Sequence, residues 1–87
     1  MSDDFLLRLK EKLDEHHSFP CPYVFKFIVP LAKFAEMVEL LKGFKFTTRE
    51  SRTGRYISFT AELHMESSER VISIYRAAAS IEGLIAL

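Results

Sequence analysis

Residues 56–65, "YISFTAELHM", alternate without a break. Ile57, Phe59, Ala61, Leu63 and Met65 fall on one set of positions, and Tyr56, Ser58, Thr60, Glu62 and His64 on the other. Side chains of a β-strand point to opposite faces in turn, so this pattern describes a strand with one face in a core and the other open. Everything else in the chain has to supply a cover for one face of a sheet.

The flanking segments fit such a sheet. "FKFTTRES", residues 44–51, alternates as well, with Phe44, Phe46 and Thr48 one way and Lys45, Thr47 and Arg49 the other. "RTG" at residues 52–54 reads as the turn of a hairpin, with Gly54 where a positive φ is needed. "YVFKFIV", residues 23–29, is aromatic and β-branched almost throughout, which favours a strand, and Pro30 closes it. "LAKFAEMVELLK" then spaces Leu31, Phe34, Ala35, Val38 and Leu41 on one helical stripe, with Gly43 as a C-terminal cap. Ser67 or Ser68 caps a second helix with Val71, Ile74, Tyr75 and Ala78 on its stripe. Gly83 breaks that helix, and "LIAL" forms a short last strand.

Ahead of these elements, residues 1–17 carry five acids and three bases, with Phe5, Leu6, Leu9 and Leu13 on one helical stripe. Ser2 is placed to cap that helix, and Asp3 and Asp4 suit its positive end. The prolines at 20 and 22 close it off. The reading is an N-terminal extension helix over residues 1–17 and one domain over residues 18–87. The domain's order is β-α-β-β-α-β. With right-handed crossovers that is the ferredoxin-like fold of the α+β class, an antiparallel sheet ordered 4-1-3-2 with both of its helices on one face.

Composition narrows the job. A chain of 87 residues buries only about 60–65% of its surface. Hydrophobic residues make up 48%, with eight Phe and three Tyr, enough for a core without disulfides or metal. Twelve acidic and twelve basic residues cancel, whereas a dedicated nucleic-acid binder is clearly positive. The single cysteine rules out an internal disulfide and fits a reducing compartment. The charged N-terminus lacks the pattern of a signal peptide, and no apolar run approaches the ~20 residues of a membrane span. A cytoplasmic protein is the expectation.

The strand motifs carry a resemblance. "FPCPYVFKFI" (Phe19, Pro20, Cys21, Tyr23, Phe25, Lys26), "SRTGRYISFTAEL" (Ser51, Gly54, Tyr56, Ser58) and the closing apolar strand together resemble the YbeD family of small bacterial proteins. The resemblance covers residues 18–87 and leaves the N-terminal helix outside the family pattern. It implies a ferredoxin-like domain similar in shape to the ACT regulatory domains. It implies no activity and carries no catalytic residue over.

Catalytic and metal chemistry find little in the chain. Cys21 has no neighbouring cation except His17 to lower its pKa, and a free cysteine otherwise behaves as a small apolar residue. His16 and His17 are adjacent and so diverge on a helix; with Cys21 and His64 they show no zinc-type spacing. No nucleophile elbow, phosphate loop or metal motif occurs, so neither an enzyme nor a cofactor is expected.

The open sheet face holds the candidate residues. If Tyr23, Phe25, Phe27 and Val29 face the helices, then Val24, Lys26 and Ile28 face out, and Lys26 sits at the middle of the face. Its neighbours across the sheet are expected among Ser58, Thr60 and Glu62. Lys26, Tyr56, Ser58, Thr60 and Glu62 are therefore the candidate binding residues. Lys45, Arg49, Arg52 and Arg55 form a second, basic candidate for an anionic partner, set against a simple role in discouraging edge-to-edge pairing.

Three functions fit these features. The first is a non-catalytic interaction or regulatory module whose open face meets a protein partner or, in a homodimer, a second copy of itself. The second is a small-ligand domain of the ACT type. Its loop here, Val29-Pro30-Leu31-Ala32, lacks the Asp and Gly that such domains carry there. The third is an RNA-binding module of the same topology. Its register puts Ser58 and the set Val24, Lys26 and Ile28 where stacking rings are needed, so a nucleic-acid partner is disfavoured.

Overall fold

The computed structural model describes residues 2–87. It has an N-terminal helix α1 (Asp3–His16), then β1 (Cys21–Pro30), a 3-10 turn (Leu31–Lys33) running into α2 (Phe34–Leu40), β2 (Thr47–Glu50), β3 (Tyr56–Met65), α3 (Ser68–Ala78) and β4 (Ile85–Ala86). The sheet order is β2-β3-β1-β4 and each pair is antiparallel. This is the ferredoxin-like arrangement that the order of elements implies.

The two long strands set the architecture. β1 and β3 pair over ten residues each, from Cys21 opposite Met65 to Pro30 opposite Tyr56. Their alternation lands as the sequence requires. Ile57, Phe59, Ala61, Leu63 and Met65 are buried, as are Phe25, Phe27 and Val29. An aromatic seam runs along the covered face. The Tyr23 and Phe25 ring centres lie 4.9 Å apart, and Tyr75 of α3 reaches Phe25 at 5.3 Å and Phe27 at 5.8 Å. Tilted and edge-on pairs at these distances are the favoured aromatic contacts. On the β2 side, Phe46 packs against Phe59 at 5.3 Å.

Three expectations need correction. β1 extends beyond residues 23–29: Cys21 and Pro22 are its first two residues, paired with Met65 and His64, and Pro30 is its last. β2 is shorter than residues 44–51, because Phe44 and Phe46 pack inward from an irregular segment before Thr47. The stripe assigned to α2 holds only in its second half. Leu31, Phe34 and Ala35 are exposed, Val38 and Leu41 pack into the core as expected, and Met37 is buried off the stripe. The first residues lie in and just after a 3-10 turn, whose three residues per turn depart from a 3.6-residue stripe.

The second helix and the chain end follow the sequence more closely. The Ser67 hydroxyl caps α3 by accepting from the Arg70 N–H at 3.2 Å. Val71, Ile74, Tyr75 and Ala78 are buried on the expected stripe. Gly83 adopts a φ of 81°, and a Cβ there would stand 2.8 Å from the Pro30 ring, so glycine is needed both for the turn and for the close pass of the chain over the end of β1.

α1 docks on α3 rather than lying free. Ser68, Ile72 and Arg76 recur every fourth residue and so share one face of α3. The Ser68 hydroxyl donates to the Asp14 carboxylate at 2.6 Å, and Arg76 pairs with Asp3. The C-terminal end of α1 thus meets the N-terminal end of α3, and the two helices run antiparallel. Leu6 and Leu13 of α1 are buried in the same core as the sheet residues, and Ile72 is buried beyond the stripe that the sequence alone marks. Ser68, 3% exposed, has Asp14 as the partner that its burial requires.

Two outcomes follow from this packing. Phe27→Ala removes a fully buried ring and should destabilise by ~3–5 kcal/mol, whereas Val24→Ala on the same strand should stay within about 0.5 kcal/mol, both read from denaturant melts. The Ser68 hydrogen bond, then the Lys10 ammonium 3.0 Å away, hold the Asp14 carboxyl below its ordinary value of 3.8. A carboxyl lowered in the folded state adds stability above its unfolded value and loses it as pH falls through the folded one. Asp14→Asn should therefore be less stable than the parent at pH 7, and the gap should close as the melts are repeated below about pH 4.

Candidate interaction face

The register fixes the open face as rows running across the sheet. One row is Ile85 (β4), Ile28 (β1), Ser58 (β3) and Arg49 (β2). The next is Lys26, Thr60 and Thr47, and beyond it Val24 stands opposite Glu62. Tyr56 lies at the other end, opposite Pro30. Residues paired across an antiparallel ladder share a face, so all of these point away from the helices. Lys26, Tyr56, Ser58, Thr60 and Glu62 do come together, with Lys26 directly across from Thr60 and flanked on β3 by Ser58 and Glu62.

The face is a mixture of apolar and charged groups. Val24, Ile85 and Tyr56 are 53%, 52% and 45% exposed, with Ile28 half-buried between them. Lys26 is exposed, and no carboxylate lies within ion-pair distance of its ammonium among the described residues. Tyr56 supplies the one six-membered aromatic ring of these rows. That leaves bases nothing to stack on at the middle of the sheet.

The basic candidates divide into separate places. Arg49 and Arg52 border a shallow hollow with Ile28, Tyr56 and Ser58, and so extend the open face past β2. Lys45 borders a different hollow beside Phe44, Phe46 and Glu62. Arg55 belongs to neither; its carbonyl instead accepts from the Leu31 N–H at 2.9 Å and ties the hairpin to the start of the 3-10 turn. The hairpin itself is closed by Ser51 and Tyr56, whose backbones exchange a bond at 2.9 Å while the Ser51 hydroxyl accepts from the Tyr56 N–H at 3.1 Å. Tyr56 is therefore held firmly at the edge of the face.

Two features lay outside the reach of the sequence. Ile85 belongs to the face, but a strand of two residues is too short to reveal its own phase. On the covered side, the Tyr23 and Tyr75 hydroxyls meet at 3.0 Å across 52 positions of chain. Burial, then the bond to Tyr23, push the Tyr75 phenol well above its ordinary value, so Tyr75 remains a neutral phenol. No group of three or more His, Cys, Asp or Glu side chains comes together among the described residues, and none of their helices is long and apolar enough to cross a membrane.

Comparison with known proteins adds a family. A family model described as a protein of unknown function, DUF493, matches residues 14–87, starting in the last turn of α1. No curated protein and no solved structure matches the chain. With most of its length covered, the chain belongs to the DUF493 family, the same family as the YbeD proteins that its strand motifs resemble.

Proposed function

We propose that the chain is a non-catalytic interaction or regulatory module whose open sheet face docks a protein partner. The observation that carries this reading is Lys26. It is a lysine at the centre of a central strand, exposed, without an ion-pair partner among the described residues, and set between Val24, Ile28 and Ile85. Scattered apolar residues on a surface need no explanation, but here Val24, Ile28 and Ile85 adjoin an unneutralised charge, which gives a partner both area to bury and a charge to match. The apolar residues supply area to bury. Lys26 supplies register, because a partner that buries it has to bring an acceptor, and a partner that does not is rejected. Arg49 and Arg52 at the rim outnumber Glu50 beside them, and the net positive charge favours an acidic partner surface.

The test is the pair of variants Lys26→Glu and Tyr56→Ala. Both positions are exposed, so both variants should fold and melt within about 0.5 kcal/mol of the parent. Affinity capture and solution mass are then compared with the parent. The expected result is loss of a captured partner, with Lys26→Glu the more damaging; loss of a dimer instead would make a second copy of this chain the occupant. If both variants fold and neither the captured proteins nor the mass changes, the open face is not the working surface.

A further inference from the structure

On the helix side of the sheet, away from the face described above, a cavity of about 410 Å3 lies between α1, the end of α3 and β4. That volume falls in the range of small-molecule sites, near its lower end. Phe5 and Leu9 of α1, Ala79 after α3 and Leu84 before β4 form apolar walls, and the rings of Tyr23 and Tyr75 complete them. No charged side chain lines the cavity.

Its polar content is the tyrosine pair. Tyr75 is 6% exposed, and its hydroxyl lies 3.0 Å from that of Tyr23. Two phenols hold two protons, and the bond between them uses one. Whichever hydroxyl donates, the other keeps a proton that no acceptor among the described residues takes. The result is one phenol donor in a pocket walled mainly by apolar side chains, with Ala86 and Leu87 completing its lining. Ligand sites are built this way, with large apolar walls and a few polar groups that orient the ligand. A carboxylate, phosphate or zwitterion entering it would lose its hydration with no cation to compensate, which excludes free amino acids.

We propose that this cavity binds a small, neutral, mainly apolar molecule carrying one carbonyl oxygen. The apolar body lies against Leu9, Ala79 and Leu84, and the oxygen accepts the spare phenol proton of the Tyr23–Tyr75 pair. The site is independent of the open face, and either can fail without the other.

Two probes of matched shape test it, acetophenone with the oxygen and ethylbenzene without. Each is titrated into the full chain while methyl resonances are followed by NMR. The expected result is saturable shifts at the methyls of Leu9, Ala79 and Leu84 with both probes. Replacing both tyrosines, as Tyr23→Phe with Tyr75→Phe, removes donor and acceptor together and so leaves neither unsatisfied in the protein. This double variant should still bind both probes, but acetophenone should lose about fivefold to tenfold relative to ethylbenzene, because its carbonyl is then buried without a donor. Ala79→Trp places bulk at an exposed wall position and should abolish the saturable shifts for both. The proposal is overturned if the parent shows no saturable shifts up to the solubility of the probes, or if Ala79→Trp leaves them intact. It is likewise overturned if the affinity of acetophenone relative to ethylbenzene is the same in the parent and in the double variant.

Discussion

The structure depends on the ten-residue register between β1 and β3. Side chains alternate with a period of two, so a slip of one residue would exchange the two faces of β1 completely. Phe25, Phe27 and Val29 would turn to solvent, and Val24, Lys26 and Ile28 would turn to the helices. The core would then have to enclose an ammonium with no carboxylate near it, a far larger penalty than the loss of any one aromatic contact. Lys26 therefore acts on the fold whatever it does for a partner. As a charge in the middle of the strand it excludes the competing register, and it is exposed because the aromatic set is buried.

The other elements are arranged around that ladder. β2 adds four residues at one edge and β4 two at the other, too few for either to hold a register of its own. β2 is fixed by the Ser51–Tyr56 closure of the hairpin and by Phe46 on Phe59. β4 is fixed by the Gly83 turn over Pro30 and by the Leu87 N–H donating to the Lys26 carbonyl at 2.9 Å. The short, exposed edge strands, one bearing Arg49, also offer little template for edge-to-edge pairing. The broad face of the sheet is thus the largest surface that the strands leave uncovered.

The legible part of this fold is the part with a long period-two signal. The burial of β3 could be read residue by residue, because ten alternating positions leave no second phase. The orientation of β1 followed from Phe25 and Phe27, and the α3 stripe from Val71, Ile74, Tyr75 and Ala78. The start of the α2 stripe was not legible, although Val38 and Leu41 fell where the spacing put them. A 3-10 turn is chosen by how the chain leaves Pro30, and Met37 is no more apolar in sequence than Phe34, which stays 39% exposed. The docking of α1 was half legible. Its stripe was plain, but its seat depends on Asp14 meeting Ser68 and Asp3 meeting Arg76, contacts between positions more than fifty residues apart. For the same reason the five candidate residues of the open face could be named from the sequence while Ile85 could not. The first five follow from alternation within one strand or its immediate neighbour, and Ile85 depends on a tertiary pairing.

β1 contributes to both of the proposed surfaces, one on each side of a single layer of backbone. Lys26 projects outward, and three residues earlier Tyr23 turns toward α1 and α3. Between the two sides stand Phe25, Phe27 and Phe59, all fully buried, and protein interiors are close-packed. Such a core has no slack through which side chains on one face could repack the other. Only a displacement of the β1 backbone itself would be felt on both sides, and that strand is clamped by β3 along its whole length. The molecule is built to present two separate faces from one rigid strand, and a partner on the sheet and a small molecule beside α1 would each meet a surface already formed.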